Sequence, residues 1–312
     1  MDNLILTLKL INKIGNGTIL KIINNTTKLP SNEIELHELI LEKASNDKKI
    51  KVPTIDEIKK ANLNANNIIL RSKQENIKYI DILDTEFPQM LKNISSPPTL
   101  LFYKGNYSCL VENNSIAIVG TRNPTQHGEK IAHRLGYLFS KEGYIITSGL
   151  ALGCDKYAHQ GCLDADGRTV AVLGTSLDKI SPIQNEKLAE DILTKNGCII
   201  TENYIGEKTS RYSFVNRNRI QSGLSLGTIV VETDIKGGTM ETAKFTLEQG
   251  KFLGVYNHHS KFLNENTTKG NQELINNLNA ISLGNKDDIE KFKKYIKEIN
   301  NENISTQIDF NF

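Results

Sequence analysis

No apolar run in these 312 residues approaches the length that crosses a membrane, since a transmembrane helix needs about 18 or more consecutive apolar residues. Met1-Asp2-Asn3 opens directly into a periodic apolar segment, with no basic leader and no small-residue cleavage site. These absences predict a cytoplasmic protein with no membrane association. Charge of one sign is also lacking. The 38 basic and 36 acidic residues leave a formal charge of +2, so bulk charge does not announce a nucleic-acid partner, and any DNA-binding surface has to gather its cations on one face. Cysteine is sparse. Cys109, Cys154, Cys162 and Cys198 form no C-x-x-C pair, which argues against a zinc site and predicts buried free thiols in a reducing compartment.

Catalytic signatures are missing as well. There is no G-x-x-x-x-G-K-[ST] phosphate loop and no G-x-G-x-x-G after the first strand of the sheet. Neither a G-x-S-x-G elbow nor an H-E-x-x-H helix occurs. ATP hydrolysis, an ordinary NAD site and the common hydrolase centres are therefore disfavoured. No catalytic residue, cofactor or metal is expected.

What is present divides into three parts. Leu4, Ile5, Leu8, Ile11 and Ile14, then Ile19, Leu20, Ile22 and Ile23, are spaced for two short helices meeting at Gly15-Asn16-Gly17. Apolar periodicity at Leu36–Leu41 and Ile55–Ile69 adds further helices, giving a small all-helical domain over residues 1–80. The glycine turn has the look of a helix-hairpin-helix, but suits an ordinary helix–helix connection better. Phe87-Pro88 and Pro97-Pro98 mark a joining segment of extended backbone, and this separation predicts that the helical domain can be removed without unfolding the rest.

From Ser115 short β-branched runs alternate with amphipathic stretches. Strands are expected at 116–119, 144–147, 169–173, 198–201, 228–232 and 252–256, with helices at 127–142, 154–165, 185–196, 215–224 and 239–250. That alternation predicts an α/β fold: an extended Rossmann-like, doubly wound, mostly parallel sheet over residues 81–284. A C-terminal helix and tail follow over residues 285–312.

In such a sheet, ligands bind beyond the carboxyl ends of the strands, where strand order reverses. Three glycine-bearing loops leave that edge: Gly120-Thr121-Arg122, Ser148-Gly149 through Gly153, and Glu232-Thr233-Asp234 into Gly237-Gly238-Thr239. The last opens a helix, whose N-terminus is an anion seat. Arg217-Asn218-Arg219 lies near the start of another helix, where two arginines in a non-helical first turn can converge on phosphates. His159 follows Asp155 by four residues and faces the same side of its helix, which suits a histidine held by that carboxylate. Asp155, His159 and Glu232 are assigned to organising the pocket.

These residues, with Phe87-Pro88-Gln89-Met90-Leu91, Thr147–Asp155, Ala158-His159, Val231-Glu232, Gly238–Ala243 and Lys269-Gly270-Asn271, resemble the DprA/Smf (DNA-processing protein A) family over about Ile80–Leu283. The resemblance implies a homodimeric protein that binds single-stranded DNA and helps to load a RecA-type recombinase in natural transformation. It places Arg122, Arg217 and Arg219 in a basic DNA pocket. Family members have Gly-Ile-Asp where this chain has Gly153-Cys154-Asp155, and Phe-Pro where it has Phe214-Val215. The alternative is a nucleotide-binding sensor, or an enzyme similar to the cytokinin-activating phosphoribohydrolases, possessing the same sheet and acting in anti-phage defence. Those enzymes use P-G-G-x-G-T-x-x-E. Here the final position is Thr242, and Glu241 falls one residue early, about 100° round the helix.

Overall fold

The computed structural model describes residues 1–263 and 265–309, with side chains described through residue 297. Four helices come first: α1 (Leu4–Leu10), α2 (Asn16–Ile23), α3 (Glu33–Asn46) and α4 (Ile55–Gln74). Local chemistry sets two of their starts. Asn32 accepts from the Ile34 and Glu35 amides at the head of α3, and Thr54 with Glu57 forms a reciprocal capping box at the head of α4.

The joining segment contains β1 (Lys78–Asp81), α5 (Gln89–Lys92) and β2 (Leu100–Gly105). The alternating region follows as β3 (Ser115–Val119), α6 (Gln126–Lys141), β4 (Ile145–Ser148), α7 (Cys154–Asp164), β5 (Thr169–Val172), α8 (Glu186–Thr194) and β6 (Cys198–Thr201). It continues with α9 (Arg211–Gly223), β7 (Gly227–Val230), α10 (Gly238–Glu248), β8 (Phe252–Tyr256), α11 (Asn266–Asn277), β9 (Ile281–Leu283) and α12 (Lys286–Asp309). Residues 310–312 of the expected tail lie outside the described residues.

The strands form one nine-stranded sheet in the order β1-β2-β6-β5-β4-β3-β7-β8-β9. Pairing is parallel from β6 through β9, and antiparallel where β2 joins β6 and β1 joins β2. The expected α/β, mostly parallel architecture is the one observed. Strands β3 to β7 are buried along their whole length, as helices on both faces of a parallel sheet require. Two strands were not foreseen in the joining segment, the edge strand β1 and its neighbour β2. The Leu100–Tyr103 run is apolar enough for a strand, but its antiparallel docking on β6 depends on a partner about a hundred residues away. Among the described residues, no helix is long and apolar enough to cross a membrane.

The N-terminal helices pack into the sheet's own core. Ile5, Leu8, Ile19, Leu36, Ile40 and Ile58 belong to one apolar cluster with Leu100, Phe102, Leu173, Ile192, Ile199 and Ile205. Polar ties cross the same boundary. The Tyr79 hydroxyl donates to Asn3 Oδ1 at 2.8 Å, and Lys9 Nζ donates to the Glu202 carbonyl at 2.9 Å. Removing the helices strips the cover from Phe102, Leu173 and Ile199. A fragment beginning at Tyr79 is therefore expected to melt at a lower temperature than the full chain and to bind a hydrophobic dye. Calorimetry and dye fluorescence test this, and an undiminished, dye-silent transition would show that the sheet unit seals its own core.

Candidate nucleic-acid interface

Sheet order reverses between β3 and β7, and a crevice of about 380 Å³ opens there beyond the strand ends. Gly120, Thr121 and Arg122 form one wall. Arg217, Asn218 and Gln221 from α9 form a second, and Gly237, Gly238 and Thr239 a third, with Asp155 in the lining. Gly237 caps the eleven-residue helix α10 without a side chain to accept its first N–H groups. The positive pole of that helix therefore faces the crevice.

Arg217 is 7% exposed. Its guanidinium donates to the Val172 carbonyl at 2.6 Å, and its Nε has no hydrogen-bond partner among the described residues. The buried amide nitrogen of Gln221, also in the crevice, is likewise unpartnered. Burial pushes the Arg217 pKa down, and the nearby Arg122 charge adds to this, while Asp155 opposes it. The Asp155 carboxyl is raised by burial, with Arg217 pulling the other way, and it accepts from the Gly149 amide at 3.1 Å. Gly149 is required here by space. A Cβ at that position would lie 1.6 Å from an Arg217 terminal nitrogen. Gly153, at φ +77°, caps α7 in a conformation costly for other residues, and its Cα faces the Thr121 and Arg122 backbone. Thus the β4 loop lies behind the crevice wall, setting the positions of Arg217 and Arg122. Ser148 faces inward too, donating to the Ile118 carbonyl at 2.6 Å.

Arg122 is exposed and sits 5.8 Å from the Phe214 ring centroid. Phe214 also lines the crevice, together with Ala151, Thr233, Asp234 and Thr242, none of which was expected as a site residue.

Two expectations are corrected. Arg219 does not reach the crevice. It is 3% exposed, and its Nη2 donates to both carboxylate oxygens of Glu202, at 2.7 and 2.6 Å, on the opposite side of α9. The cause is the helix start. Ser210 and Ser213 form a capping box, so α9 begins at Arg211, not near 215. Arg217 and Arg219 then lie in regular helix about 200° apart, and they diverge. The Ser-x-x-Ser spacing was the available signal. Second, Asp155 does not hold His159. The His159 Nδ1 pairs with Thr169 Oγ1 at 2.7 Å, and that hydroxyl donates onward to the Ile146 carbonyl, so Nδ1 carries the proton. His159 is fully buried beneath the site and does not line the crevice. Glu232 is buried behind the same edge. Its carboxylate accepts from the Thr125 amide at 2.8 Å and hydroxyl at 2.6 Å, which fastens the end of the Arg122 loop.

Residues 78–294 match the model of the DNA recombination-mediator protein A family. The chain belongs to this family, the DprA/Smf proteins. Within the family, the chain is 38% identical over 184 residues to DNA processing protein DprA of Bacillus subtilis, covering 59% of this chain and 62% of that protein. It is 40% identical over 190 residues to Protein Smf of Synechocystis, covering 60% and 48%. The matched region thus spans about half to three fifths of these relatives. The X-ray structure of DNA processing protein A from Streptococcus pneumoniae superposes with TM-score 0.67 at 26% identity, over 89% of this chain and 98% of that one. The Helicobacter pylori family member, whose structure addresses a unique single-stranded DNA binding mode, gives TM-score 0.61 at 26% identity, over 72% and 96%.

Burial holds the His159 pKa at about 3, against an ordinary 6.5. The unfolded chain takes up this proton below pH 6.5 while the folded chain does not. The stability from a neutral His159 is therefore complete above pH 6.5 and is lost as pH falls toward 3. Urea unfolding across that window is expected to show His159 contributing a slope of about 1 kcal/mol per pH unit. His159→Gln should be less stable at neutral pH and should lose that part of the slope. An unchanged slope would remove the assignment.

Proposed function

We propose that the chain binds single-stranded DNA and serves DNA processing and recombination as a binding protein without chemistry of its own. The observation that carries this is the arrangement around Arg217: a buried guanidinium with an unpartnered Nε, placed in one crevice with exposed Arg122 and the open N-terminus of α10. All three favour an anion, and phosphate suits the guanidinium fork and the helix pole together. Phe214 beside Arg122 offers an aromatic face for an unpaired base. At about 380 Å³ the crevice has room for a small part of one strand. The relation to the Helicobacter pylori protein supports the same ligand. A RecA-type recombinase as partner, a homodimeric state and a cytoplasmic location belong to this reading through the family resemblance.

The purified chain is expected to retard single-stranded oligonucleotides in preference to duplex. Arg122→Ala and Arg217→Ala should each lower affinity and flatten the dependence of log affinity on log salt by about 0.7. Gly149→Ala should behave like Arg217→Ala, because its methyl occupies the guanidinium's place. Arg219→Ala should instead cost about 3–5 kcal/mol of stability by stranding buried Glu202. Equal affinity for duplex, or an unchanged salt slope in both crevice variants, would overturn this site.

The phosphoribohydrolase alternative needs the glutamate of its loop motif in the crevice, whose carboxylates are instead Asp155 and Asp234. Glu241 is turned outward into an ion pair with Lys244 at 2.8 Å, and Glu232 is committed to Thr125. Neither lines the crevice. Nucleoside monophosphates incubated with the protein are expected to yield no free base by chromatography. Base release abolished by Glu241→Gln would establish the enzyme instead.

A further inference from the structure

A second group of aromatic rings and cations lies beside the crevice and is not used by it. His127, in the first turn of α6, stacks on Phe262 with centroids 4.5 Å apart and planes within 7°. Tyr256, ending β8, lies 5.9 Å from His127. Buried His258 closes the group from beneath, 5.8 Å from His127 and 4.8 Å from Tyr256. His127, Tyr256 and Phe262 are only half-buried, so the group is a surface feature.

Its electrostatic setting is cationic. The Lys261 ammonium stands 4.8 Å from the Phe262 centroid. His127 is depressed in pKa by burial and by the charges of Lys261 and Lys130, and the charge of Arg134 acts on Tyr256. The N-terminal pole of the sixteen-residue helix α6 lies at His127 and is met from within by the Glu232 carboxylate, with Glu129 in its first turn, so the cations here are the side chains.

The group is also continuous with the crevice. The loop that carries Arg122 runs directly into His127. Glu232 holds that loop at Thr125, and the same carboxylate lies 4.0 Å from His258 Nδ1 under the rings. One buried acid thus fastens the edge of the crevice and lies beneath the aromatic group, whose His258 is held through Nε2 by the Val231 carbonyl at 2.8 Å. Stacked rings flanked by lysine and arginine match the chemistry of an unpaired nucleic-acid strand, whose bases stack and whose phosphates pair with cations. A protein partner docking through apolar contact would have to desolvate these cations.

We propose that this platform carries a single strand onward from the crevice, stacking a base on the Phe262–His127 pair, with Lys261, Lys130 and Arg134 meeting its phosphates. The inference rests on the single-stranded-DNA reading above and extends its footprint.

Fluorescence anisotropy with labelled oligothymidylates of about four and about fifteen nucleotides separates the two surfaces. Phe262→Ala is expected to weaken the longer ligand by roughly fivefold or more, and to leave the short one, which fills the crevice alone, unchanged. Lys261→Glu, a surface change that spares the stack, should also weaken only the longer ligand and flatten its salt slope by about 0.7 or more. Melting curves and light scattering accompany both variants. Unchanged affinity for the longer ligand in both overturns the platform, as does an altered oligomeric state in Phe262→Ala, which would mean that this face meets a second copy. Failure of the unmodified chain to bind either ligand would instead remove the single-stranded-DNA reading itself.

Discussion

A guanidinium buried at the point where sheet order reverses is the constraint around which this edge of the molecule is arranged. A charge taken out of water needs compensation from fixed neighbours, and Arg217 has it from three directions. The Val172 carbonyl accepts from it, the Asp155 charge faces it, and the backbone at Gly149 leaves room for it. Each neighbour belongs to a different strand-end loop or helix, so the arginine ties β4, β5, α7 and α9 into one rigid wall. The guanidinium that lines the crevice is then held in place before any anion arrives. Such a group is worth more to an incoming anion than a solvated lysine, because it need not be ordered on binding.

Two residues further along α9, the same chemistry serves the opposite face. Arg219 and Glu202 form a buried pair, and the helical segment grips that pair's acid: Asn16 Nδ2 donates to Glu202 Oε1 at 2.9 Å, and Lys9 to its carbonyl. One helix therefore presents one arginine to the crevice and uses another to anchor the N-terminal helices. The geometry of the crevice wall and the seating of α1 and α2 are coupled through α9. This gives the helical segment a physical connection to the site without lining its main crevice.

The sheet was legible because its strands are short, β-branched and separated by amphipathic stretches of helical period. All six expected strands appear within two residues of their observed ends. The crevice was legible for a related reason: glycines at strand ends and an uncapped helix start are local signals, and parallel topology brings them to one edge. What could not be read locally was side-chain destination. Arg217 and Arg219 differ by two positions, and their fates depend on where α9 begins, which a modest Ser210–Ser213 box decides. His159 found Thr169 on a neighbouring strand, not Asp155 on its own helix. Strands β1 and β2 exist because β6 offers them an edge, a circumstance with no local trace beyond an apolar run.

The near-zero net charge acquires a meaning in this arrangement. A protein coated with lysine attracts any polyanion, duplex included, through long-range potential. Here the cationic character at the proposed site comes from few sources: two arginines in a crevice, the open helix pole of α10, and a small aromatic–lysine group on the far side of one loop. Arg217, at the crevice floor, is recessed, and Phe214 and the Phe262–His127 stack offer ring faces that only an unpaired base can use. A duplex presents phosphates without free base faces. On the proposed reading, discrimination on this surface arises from depth and stacking, with charge confined to the places where a strand that has shed its partner can reach it.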